Sequence, residues 1–270
     1  MNCNGLYLDL STPKIMGILN ATPNSFYDNG KYNTLTKQLN QVEKLLNEGA
    51  DIIDIGGAST KPNADIVSET EEINRIEPLI KKVKKLYPKI ILSIDTYRAS
   101  VAEKTYNLGA NIINDISAGG LDEKMFETVA KIPLPYIMMH IKGNPQNMQN
   151  NPHYENITKE IKLYFSDKIK RLTKLNKKDI IIDPGFGFGK TVEHNYEILN
   201  NLSEFKKLKK PILVGLSRKS MIYKVLNTDS ANALNGTTAL NAIALLKGAN
   251  ILRVHDVKEA KEIVSLVSKL

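Results

Sequence analysis

The length, composition and charge of the chain exclude several classes of protein. Its 270 residues are 42% hydrophobic and 24% charged, so the chain can bury a sizeable core. No apolar run approaches the roughly eighteen residues that cross a membrane, and the single cysteine, Cys3, excludes internal disulfides and metal sites built from cysteine clusters.

The formal net charge of +8 comes largely from lysines on predicted helix faces, as in "IKKVKKLYPK" and "EFKKLKKP". Aromatic residues do not alternate with basic ones, so we expect no nucleic-acid partner. A mildly positive protein does attract small anionic substrates. The first residues lack the layout of a signal peptide, and one cysteine suits a reducing compartment, so we expect a cytoplasmic protein without membrane association.

Short β-branched runs alternate with longer amphipathic segments from about residue 15 to the end of the chain. The predicted strands, in chain order, are "KIMGILN", "DIIDIGG", "KIILSIDT", "NIINDIS", "PYIMMH", "DIIIDPG", "PILVGLS" and "NILRVHD". Near-continuous apolar strands are typical of parallel sheets that are buried on both faces. Eight βα units in this length predict a single α/β domain over residues 1–270, a (β/α)₈ or TIM barrel, and an open doubly wound sheet is the main alternative.

The helical segments have regular apolar faces, and several glycines mark helix ends. The apolar residues recur every three or four positions in each of three predicted helices. The first face is formed by Leu35, Leu39, Val42 and Leu46, the second by Ile73, Ile76, Ile80 and Val83, and the third by Ile157, Ile161, Phe165, Ile169 and Leu172. "SETE" predicts a capping box from Ser68 to Glu71, and Pro78 predicts a kink in the same helix. Gly49, Gly109 and Gly248 each lead from a helix into a strand.

Polar side chains follow the predicted strands at their carboxyl ends, where the active site of a (β/α)₈ barrel lies. Asp95, Asn114 and Asp183 each end an apolar run, and any one of them could instead cap the next helix. Together with Lys219 they supply two carboxylates, one amide and one cation. This set could hold a flat heterocycle such as a pterin or a purine against apolar walls.

A second predicted cluster is cationic. Arg253 and His255 lie on the last strand and Asn20 on the first, so barrel closure makes them neighbours. A guanidinium and an imidazole suit a phosphate or diphosphate, although Arg253 could instead pair with Asp256. Residues 218–220 add cations at the start of a predicted helix, whose free N–H groups favour an anion.

The segment "DPGFGFGKT" looks like a nucleotide-binding loop, but the pattern fails. An ATP-binding loop needs glycine where Pro184 stands, and the dinucleotide pattern needs glycine where Lys190 stands. We therefore interpret the segment as a tight glycine-rich turn at the barrel mouth that follows Asp183 and places Phe188 at the pocket.

Over nearly its whole length the chain resembles the dihydropteroate synthases. The similar segments, in order, are "GILNATPNSF", "DIGGASTKP", "SIDT", "INDI", "DPGFGFGK", "GLSRKSM" and "RVHDV". The resemblance implies a (β/α)₈ barrel that joins 6-hydroxymethyl-7,8-dihydropterin diphosphate to 4-aminobenzoate, releasing pyrophosphate and giving 7,8-dihydropteroate for folate synthesis. It also implies a homodimer, a Mg²⁺ cofactor and a target of sulfonamides.

Carried over residue by residue, the resemblance implies three groups of contacts. The pterin would contact Asp95, Asn114, Met138, Asp183, Gly215 and Lys219. The diphosphate would contact Asn20, Arg253 and His255, with the amide oxygen of Asn20 also touching the Mg²⁺. The 4-aminobenzoate would contact Phe26, Thr60, Pro62, Phe188, Lys219 and Ser220. The catalytic residues would be Asp95, Asp183, Lys219 and Arg253, without a protein nucleophile.

The first two loops depart from the commonest pattern of that family. Asn24 stands where aspartate is usual, Ala58 replaces a frequent glutamate, and Lys61 replaces arginine. Lys61 keeps the charge but loses the two-pronged fork, so we expect weaker binding of 4-aminobenzoate. Two other functions stay open at this point: a methyltransferase that moves a methyl group from methyltetrahydrofolate to a corrinoid, and a catalytically silent pterin-binding barrel.

Overall fold

The computed structural model describes residues 1–21, 35–59 and 66–270, and its centre is an eight-stranded parallel sheet. A two-residue antiparallel hairpin, β1 (Asn2–Cys3) and β2 (Leu6–Tyr7), precedes the sheet. The sheet strands are β3 (Lys14–Asn20), β4 (Ile52–Gly56), β5 (Ile91–Asp95), β6 (Ile112–Asp115), β7 (Tyr136–Met139), β8 (Ile180–Asp183), β9 (Leu213–Val214) and β10 (Ile251–Val254). Each of the eight predicted strand segments contains one of them.

The sheet closes on itself. Its hydrogen-bonded order runs β8, β7, β6, β5, β4, β3, β10 and β9, and each strand is parallel to its neighbours. The remaining gap between β8 and β9 is bridged by Ile182 and Ile212, with the Ile182 N–H donating to the Pro211 carbonyl at 3.0 Å. The predicted (β/α)₈ barrel is therefore confirmed, and the open sheet is excluded because its edge strands would stay apart.

Helices follow the strands and surround the barrel. They are α1 (Leu35–Asn47), α2 (Glu69–Leu86), α3 (Ala99–Asn107), α4 (Met125–Lys131), α5 (Ile157–Lys174), α6 (Val192–Asn200), α7 (Ser220–Tyr223), α8 (Leu234–Leu246) and α9 (Val257–Val267), with a 3₁₀ helix at Leu202–Leu208. Gly49, Gly109 and Gly248 have φ of 98°, 96° and 99°, the left-handed conformation that ends a helix at low cost in glycine. Among the described residues, no helix is long and apolar enough to cross a membrane.

The predicted helix faces are confirmed with one exception. The α2 and α5 faces pack into the core, and α2 continues as one helix through Pro78. The side-chain oxygen of Ser68 accepts from the Glu71 N–H at 3.1 Å, so Ser68 caps α2 as predicted. The second half of the predicted capping box differs, because the Glu71 carboxylate accepts from Arg75 Nε at 2.8 Å. In α1, Leu35 is exposed although the pattern places it on the apolar face, and Leu45, which the pattern omits, is fully buried; Leu35 is the first residue of the helix.

The barrel interior is built in layers, because successive side chains of a strand point to opposite faces. One apolar side chain from each sheet strand fills the lower interior: Met16, Ile52, Ile91, Ile112, Ile137, Ile181, Leu213 and Ile251. Cys3 and Leu8 of the hairpin region join this cluster and cover the lower end. Two residues further along the strands, the same face carries Ile18, Asp54, Ser93, Asn114, Met139, Asp183, Gly215 and Arg253. An apolar plug thus supports a mostly polar layer at the carboxyl ends.

Candidate active site

A buried ion-pair network occupies the mouth of the barrel. Arg253 donates from Nε to Asp54 Oδ2 at 2.7 Å and from Nη2 to Asp95 Oδ2 at 2.8 Å. Asn114 donates from Nδ2 to the same Asp54 oxygen at 3.1 Å. This network therefore joins Asp95 and Asn114 of the predicted heterocycle-binding cluster to Arg253 of the predicted cationic cluster. A guanidinium has five N–H donors, and these bonds use two of them, so Arg253 can also bind an anion.

Asp54 joins this network, although the sequence reasoning did not select it. Its side chain is completely buried and bridges Asn114 and Arg253. A usable signal was present in "DIIDIGG": Asp54 is a carboxylate inside an apolar strand, two residues beyond Ile52 and therefore on the same interior face. Asp54 lies in the middle of its strand, so a prediction based on strand ends alone does not include it.

Two carboxylate oxygens at the mouth have no partner within the part of the chain that the structure describes. They are Oδ1 of Asp54 and Oδ1 of Asp95, and both atoms are buried. An unpaired buried acceptor costs free energy unless a donor reaches it, about 1–3 kcal/mol for an ordinary polar group. The mouth is therefore suited to a ligand that brings several N–H donors.

Asp183 and Lys219 lie on the opposite side of the interior from Asp54. The Gly185 N–H donates to Asp183 Oδ1 at 2.8 Å, which fixes the carboxylate at the end of β8. Lys219 donates from Nζ to the Phe186 carbonyl, and its Nζ lies 4.9 Å from the centre of the Phe188 ring. Lys219 thus lies between the loop that follows Asp183 and the Phe188 ring.

Burial shifts the protonation equilibria of these groups. Burial raises the pKa of Asp95 to about 7, against the opposing effect of Arg253. Burial also raises the pKa of Asp183, and the positive charge of Lys219 counteracts it. The pKa of Lys219 is lowered to about 8 by burial, with Asp183 opposing the shift. Perturbed pKa values concentrated in one cleft are typical of functional sites.

Glycines keep the mouth open where strands converge. A Cβ on Gly215 would lie 3.8 Å from Lys219 Nζ and 3.9 Å from Arg253 Cβ. A Cβ on Gly56 would lie 3.5 Å from Asp95 Cβ and 3.8 Å from the Asn20 amide oxygen. Gly215 thus lies at the mouth as predicted, and Asn20 is a close neighbour of Asp95.

The methionine predicted to face the pterin is corrected by the structure. Met138 packs in the cluster between the sheet and the helices. Met139 is on the interior face, pairs in register with Asp183, and belongs to a small apolar cluster against which Tyr97 and Phe188 pack. The reason is strand alternation: Ile137 lies in the interior plug, so Met139 and not Met138 shares its face.

The alternative partner predicted for Arg253 is also corrected. Asp256 is bound by Arg218, which donates from Nε and Nη2 to its two carboxylate oxygens at 2.9 Å each. Arg218 therefore fixes the loop before α7, with the left-handed φ of 54° that this bend requires. His255 lies next to this loop, where its Nδ1 is 3.1 Å from Ser217 Oγ.

The predicted contacts with 4-aminobenzoate are only partly described. Phe188 lies at the mouth, and Ser220 is the first residue of α7, directly after Lys219. Phe26, Thr60 and Pro62 lie outside the described residues, as do the substituted positions Asn24 and Lys61. Ala58 follows β4 and is half-buried.

The site and the fold together define a class, a (β/α)₈ barrel enzyme whose carboxylate-lined mouth accepts a donor-rich heterocycle. The family described as "Pterin binding enzyme" matches residues 16–255, and the chain belongs to it. Within this family the chain is similar to the dihydropteroate synthase of Haemophilus influenzae, 46% identical over 97% of this chain and 96% of that one. The Escherichia coli dihydropteroate synthase is 42% identical over 97% and 93%.

A solved structure of the same kind superposes closely. It is the Yersinia pestis dihydropteroate synthase in complex with a sulfonamide drug, with a TM-score of 0.96 and 42% identity over 100% of this chain and 98% of that one. The Clostridium structure solved in the presence of pteroic acid has a TM-score of 0.89 at 38% identity, covering 96% of this chain and 97% of that one. Relatives of this similarity and coverage make the protein an enzyme and a transferase.

Proposed function

We propose that the barrel mouth is the active site of a dihydropteroate synthase. It joins 6-hydroxymethyl-7,8-dihydropterin diphosphate to 4-aminobenzoate, and releases pyrophosphate and 7,8-dihydropteroate. The observation that carries the proposal is the polar interior layer with Asp54, Asn114 and Asp183, which Asp95 joins from two residues further along β5. This layer lies in a chain 46% identical to a dihydropteroate synthase over almost its full length.

The pterin ring is held by the carboxylates and the amide of the interior layer. A pterin edge carries several N–H donors, and the unpaired oxygens of Asp54 and Asp95 together with the carboxylate of Asp183 accept from them. Asn114 can both donate and accept. Met139, beside Asp183, supplies an apolar surface for the ring.

The diphosphate is assigned to Arg253, His255 and Asn20. Arg253 lies in the network while two of its donors hold Asp54 and Asp95, so its position is set before substrate arrives. Charge-assisted bonds from a guanidinium to phosphate oxygens are short and strong. The resulting stabilisation grows as negative charge accumulates on the departing pyrophosphate.

The donor set fits a Mg²⁺ that is held mainly by the substrate. Among the described residues, no group of three or more His, Cys, Asp or Glu side chains is arranged to bind a metal. Asn20 offers a single amide oxygen near Gly56, and Mg²⁺ often uses few protein oxygens alongside substrate phosphates and water. When bound, the ion would neutralise charge on the diphosphate.

The bond exchange needs no protein nucleophile. The nitrogen lone pair of 4-aminobenzoate forms a bond to the pterin methylene carbon while the bond from that carbon to the diphosphate oxygen breaks. The pyrophosphate leaves with the bonding electrons, and the amine nitrogen releases a proton. Cys3 is unsuited to attack, because it is buried below the barrel and burial raises the pKa of its thiol to about 11.

The second substrate is assigned to the face of the mouth that carries Phe188, Lys219 and Ser220. The Phe188 ring offers an apolar surface 4.9 Å from Lys219 Nζ, while the Lys219 ammonium and the Ser220 hydroxyl suit the carboxylate of 4-aminobenzoate. Phe26, Thr60 and Pro62 complete this assignment by resemblance. A sulfonamide would compete for the same face.

The relatives favour the synthase over the two other functions left open by the sequence. The relatives that are 46% and 42% identical over nearly the whole chain are named dihydropteroate synthases, not corrinoid methyltransferases. Arg253 and Lys219 both lie at the mouth, and a silent binding barrel would need neither a diphosphate site nor a second substrate site. We also propose a homodimer in the cytoplasm.

The assignment is tested with three alanine variants: Asp183→Ala, Lys219→Ala and Arg253→Ala. Formation of 7,8-dihydropteroate is followed by chromatography at saturating substrates and again at low substrate concentration. We expect every variant to lose at least about 100-fold in kcat/KM, since each loses a charged interaction with substrate or transition state. Undiminished turnover in all three would place the active site elsewhere.

A further inference from the structure

The loop between β8 and α6 is fixed by side chains rather than by secondary structure. Four consecutive carbonyls, from Phe186 to Gly189, each accept a hydrogen bond from a side chain, and three of the four donors lie outside the loop. The donors are Lys219 to Phe186, Gln149 Nε2 to Gly187 at 2.7 Å, Lys190 Nζ to Phe188 at 2.8 Å, and Tyr154 Oη to Gly189 at 2.8 Å. The position of Phe188 at the mouth therefore depends on these donors.

Lys190 is the most deeply buried of the donors that the proposed reaction does not already use. Its side chain is 4% exposed, and its Nζ contacts the Phe188 carbonyl at 2.8 Å, His140 Nδ1 at 3.0 Å and the His140 carbonyl at 3.3 Å. Burial lowers the pKa values of both Lys190 and His140 well below their ordinary range. An ammonium can donate to all three acceptors, and a neutral amine can donate to the carbonyls and accept from the ring.

His140 connects this contact to the pterin side of the mouth. Its backbone N–H donates to the Asp183 carbonyl at 2.9 Å, and its carbonyl lies against Gly185. A Cβ on Gly185 would lie 2.0 Å from the His140 carbonyl oxygen, so the loop packs there without spare space. Lys190 thus joins the end of β7, the Asp183 turn and Phe188.

We propose that Lys190, itself held in place by His140, is a positioning residue for the 4-aminobenzoate subsite. It holds the Phe188 carbonyl and so sets the distance between the Phe188 ring and Lys219. The identity of the substrate rests on the proposed function, whereas the role of Lys190 in positioning Phe188 does not. Lys190 makes no contact with the substrate in this account, and its effect passes through Phe188.

A matched control residue exists at the opposite end of the barrel. Lys177 is also buried, and its Nζ donates to the backbone carbonyls of Ile132 and Leu134. It precedes β8, whereas Lys190 follows that strand, so the substitutions Lys177→Met and Lys190→Met remove the same kind of contact at opposite ends. A purely structural role predicts the same behaviour for both.

The first measurement does not depend on activity. The chain has no tryptophan, so Phe188→Trp introduces a single reporter indole at the loop. We expect Lys190→Met in this background to shift the emission to longer wavelength and to raise the acrylamide quenching constant, while Lys177→Met changes neither. The three proteins are Phe188→Trp alone and Phe188→Trp combined with Lys190→Met or with Lys177→Met. Identical spectra and quenching for all three, each shown to be folded by circular dichroism, would overturn the proposal.

The second measurement is kinetic. Because Lys190→Met releases the Phe188 carbonyl and so displaces the ring, we expect it to raise the KM for 4-aminobenzoate about tenfold. The Kd for the pterin diphosphate, measured by calorimetry without the amine, should change much less, and Lys177→Met should leave both unchanged. In a Phe188→Ala background the effect of Lys190→Met on this KM should disappear. Full additivity of the two substitutions would overturn the proposal.

A second pair of variants serves if Lys190→Met does not fold. His140→Asn retains a polar atom near the position of Nδ1, and His140→Ala removes it. We expect the alanine variant to raise the KM for 4-aminobenzoate and the asparagine variant to restore most of the loss; equal effects of the two would contradict the proposal. Should the unsubstituted enzyme release no pyrophosphate with 4-aminobenzoate, the proposed function fails, whereas the fluorescence result still decides the role of Lys190.

Discussion

Asp54→Asn is the substitution that tests the ion-pair network most sharply. Asp54 accepts from Arg253 Nε at 2.7 Å and from Asn114 Nδ2 at 3.1 Å, and its side chain is completely buried. The amide has nearly the same shape but carries no charge, and it can accept only through one oxygen. Because Asp95 still holds Arg253, we expect the loss to be about 2 kcal/mol, within the range for a hydrogen bond to a charged group. This corresponds to about a 30-fold fall in kcat/KM for the pterin diphosphate.

The assay is pyrophosphate release at limiting pterin diphosphate, and the control is Asp115→Asn. Asp115 is an equally buried carboxylate on the opposite face of β6, towards the helices, where it accepts from Tyr136 Oη at 2.6 Å. We expect the control to lower the free energy of unfolding while kcat/KM stays within about threefold of the unsubstituted enzyme, since its face does not meet the mouth. Equal losses of kcat/KM in the two variants would refute the claim that Asp54 acts in the site.

Three further predictions follow from the same geometry. Burial lowers the pKa of Lys219 to about 8, so loss of its proton should reduce kcat/KM for 4-aminobenzoate above that pH. Arginine keeps its proton in this range, so Lys219→Arg should remove the alkaline decline at a lower overall activity. An unchanged decline in this variant would contradict the assignment. Met139→Ala should raise the Kd for the pterin diphosphate in calorimetry, because Met139 lies on the interior face. Met138→Ala should lower the free energy of unfolding by about 2–3 kcal/mol and leave that Kd unchanged, because Met138 packs against the helices. The reverse pattern would disprove the interior placement of Met139. Gly185 has a φ of 73°, and a Cβ there would lie 2.0 Å from the His140 carbonyl oxygen. Gly185→Ala should therefore lower the free energy of unfolding by roughly 3 kcal/mol or more in urea denaturation. An unchanged free energy of unfolding would show that the loop has room to move.

Most of the fold could be predicted from the pattern of strands in the sequence. Runs such as "DIIDIGG" and "DIIIDPG" are apolar on both faces because a barrel strand packs on a plug inside and on helices outside. Helix-ending glycines such as Gly49 marked the unit boundaries, because few other residues adopt a left-handed φ without strain. Strand ends then identified Asp95, Asn114 and Asp183 by position alone.

The direction and partners of side chains were harder to predict. Two adjacent methionines, Met138 and Met139, differ only by one step of alternation, and a run without polar residues does not reveal which one faces inward. The partner of Arg253 depends on barrel closure, which brings Asp54 from 199 positions away in the chain. Lys190 shows the same limit, because its contacts with His140 join two separate loops.

The central claim is that this mouth couples two substrates by displacing pyrophosphate. The most direct test supplies the purified protein with 6-hydroxymethyl-7,8-dihydropterin diphosphate and Mg²⁺, with and without 4-aminobenzoate, and quantifies pyrophosphate and 7,8-dihydropteroate together. The account predicts equimolar formation of both products, strictly dependent on the amine, and their loss in Asp183→Ala. Tight binding of the pterin diphosphate without amine-dependent release of pyrophosphate would contradict it.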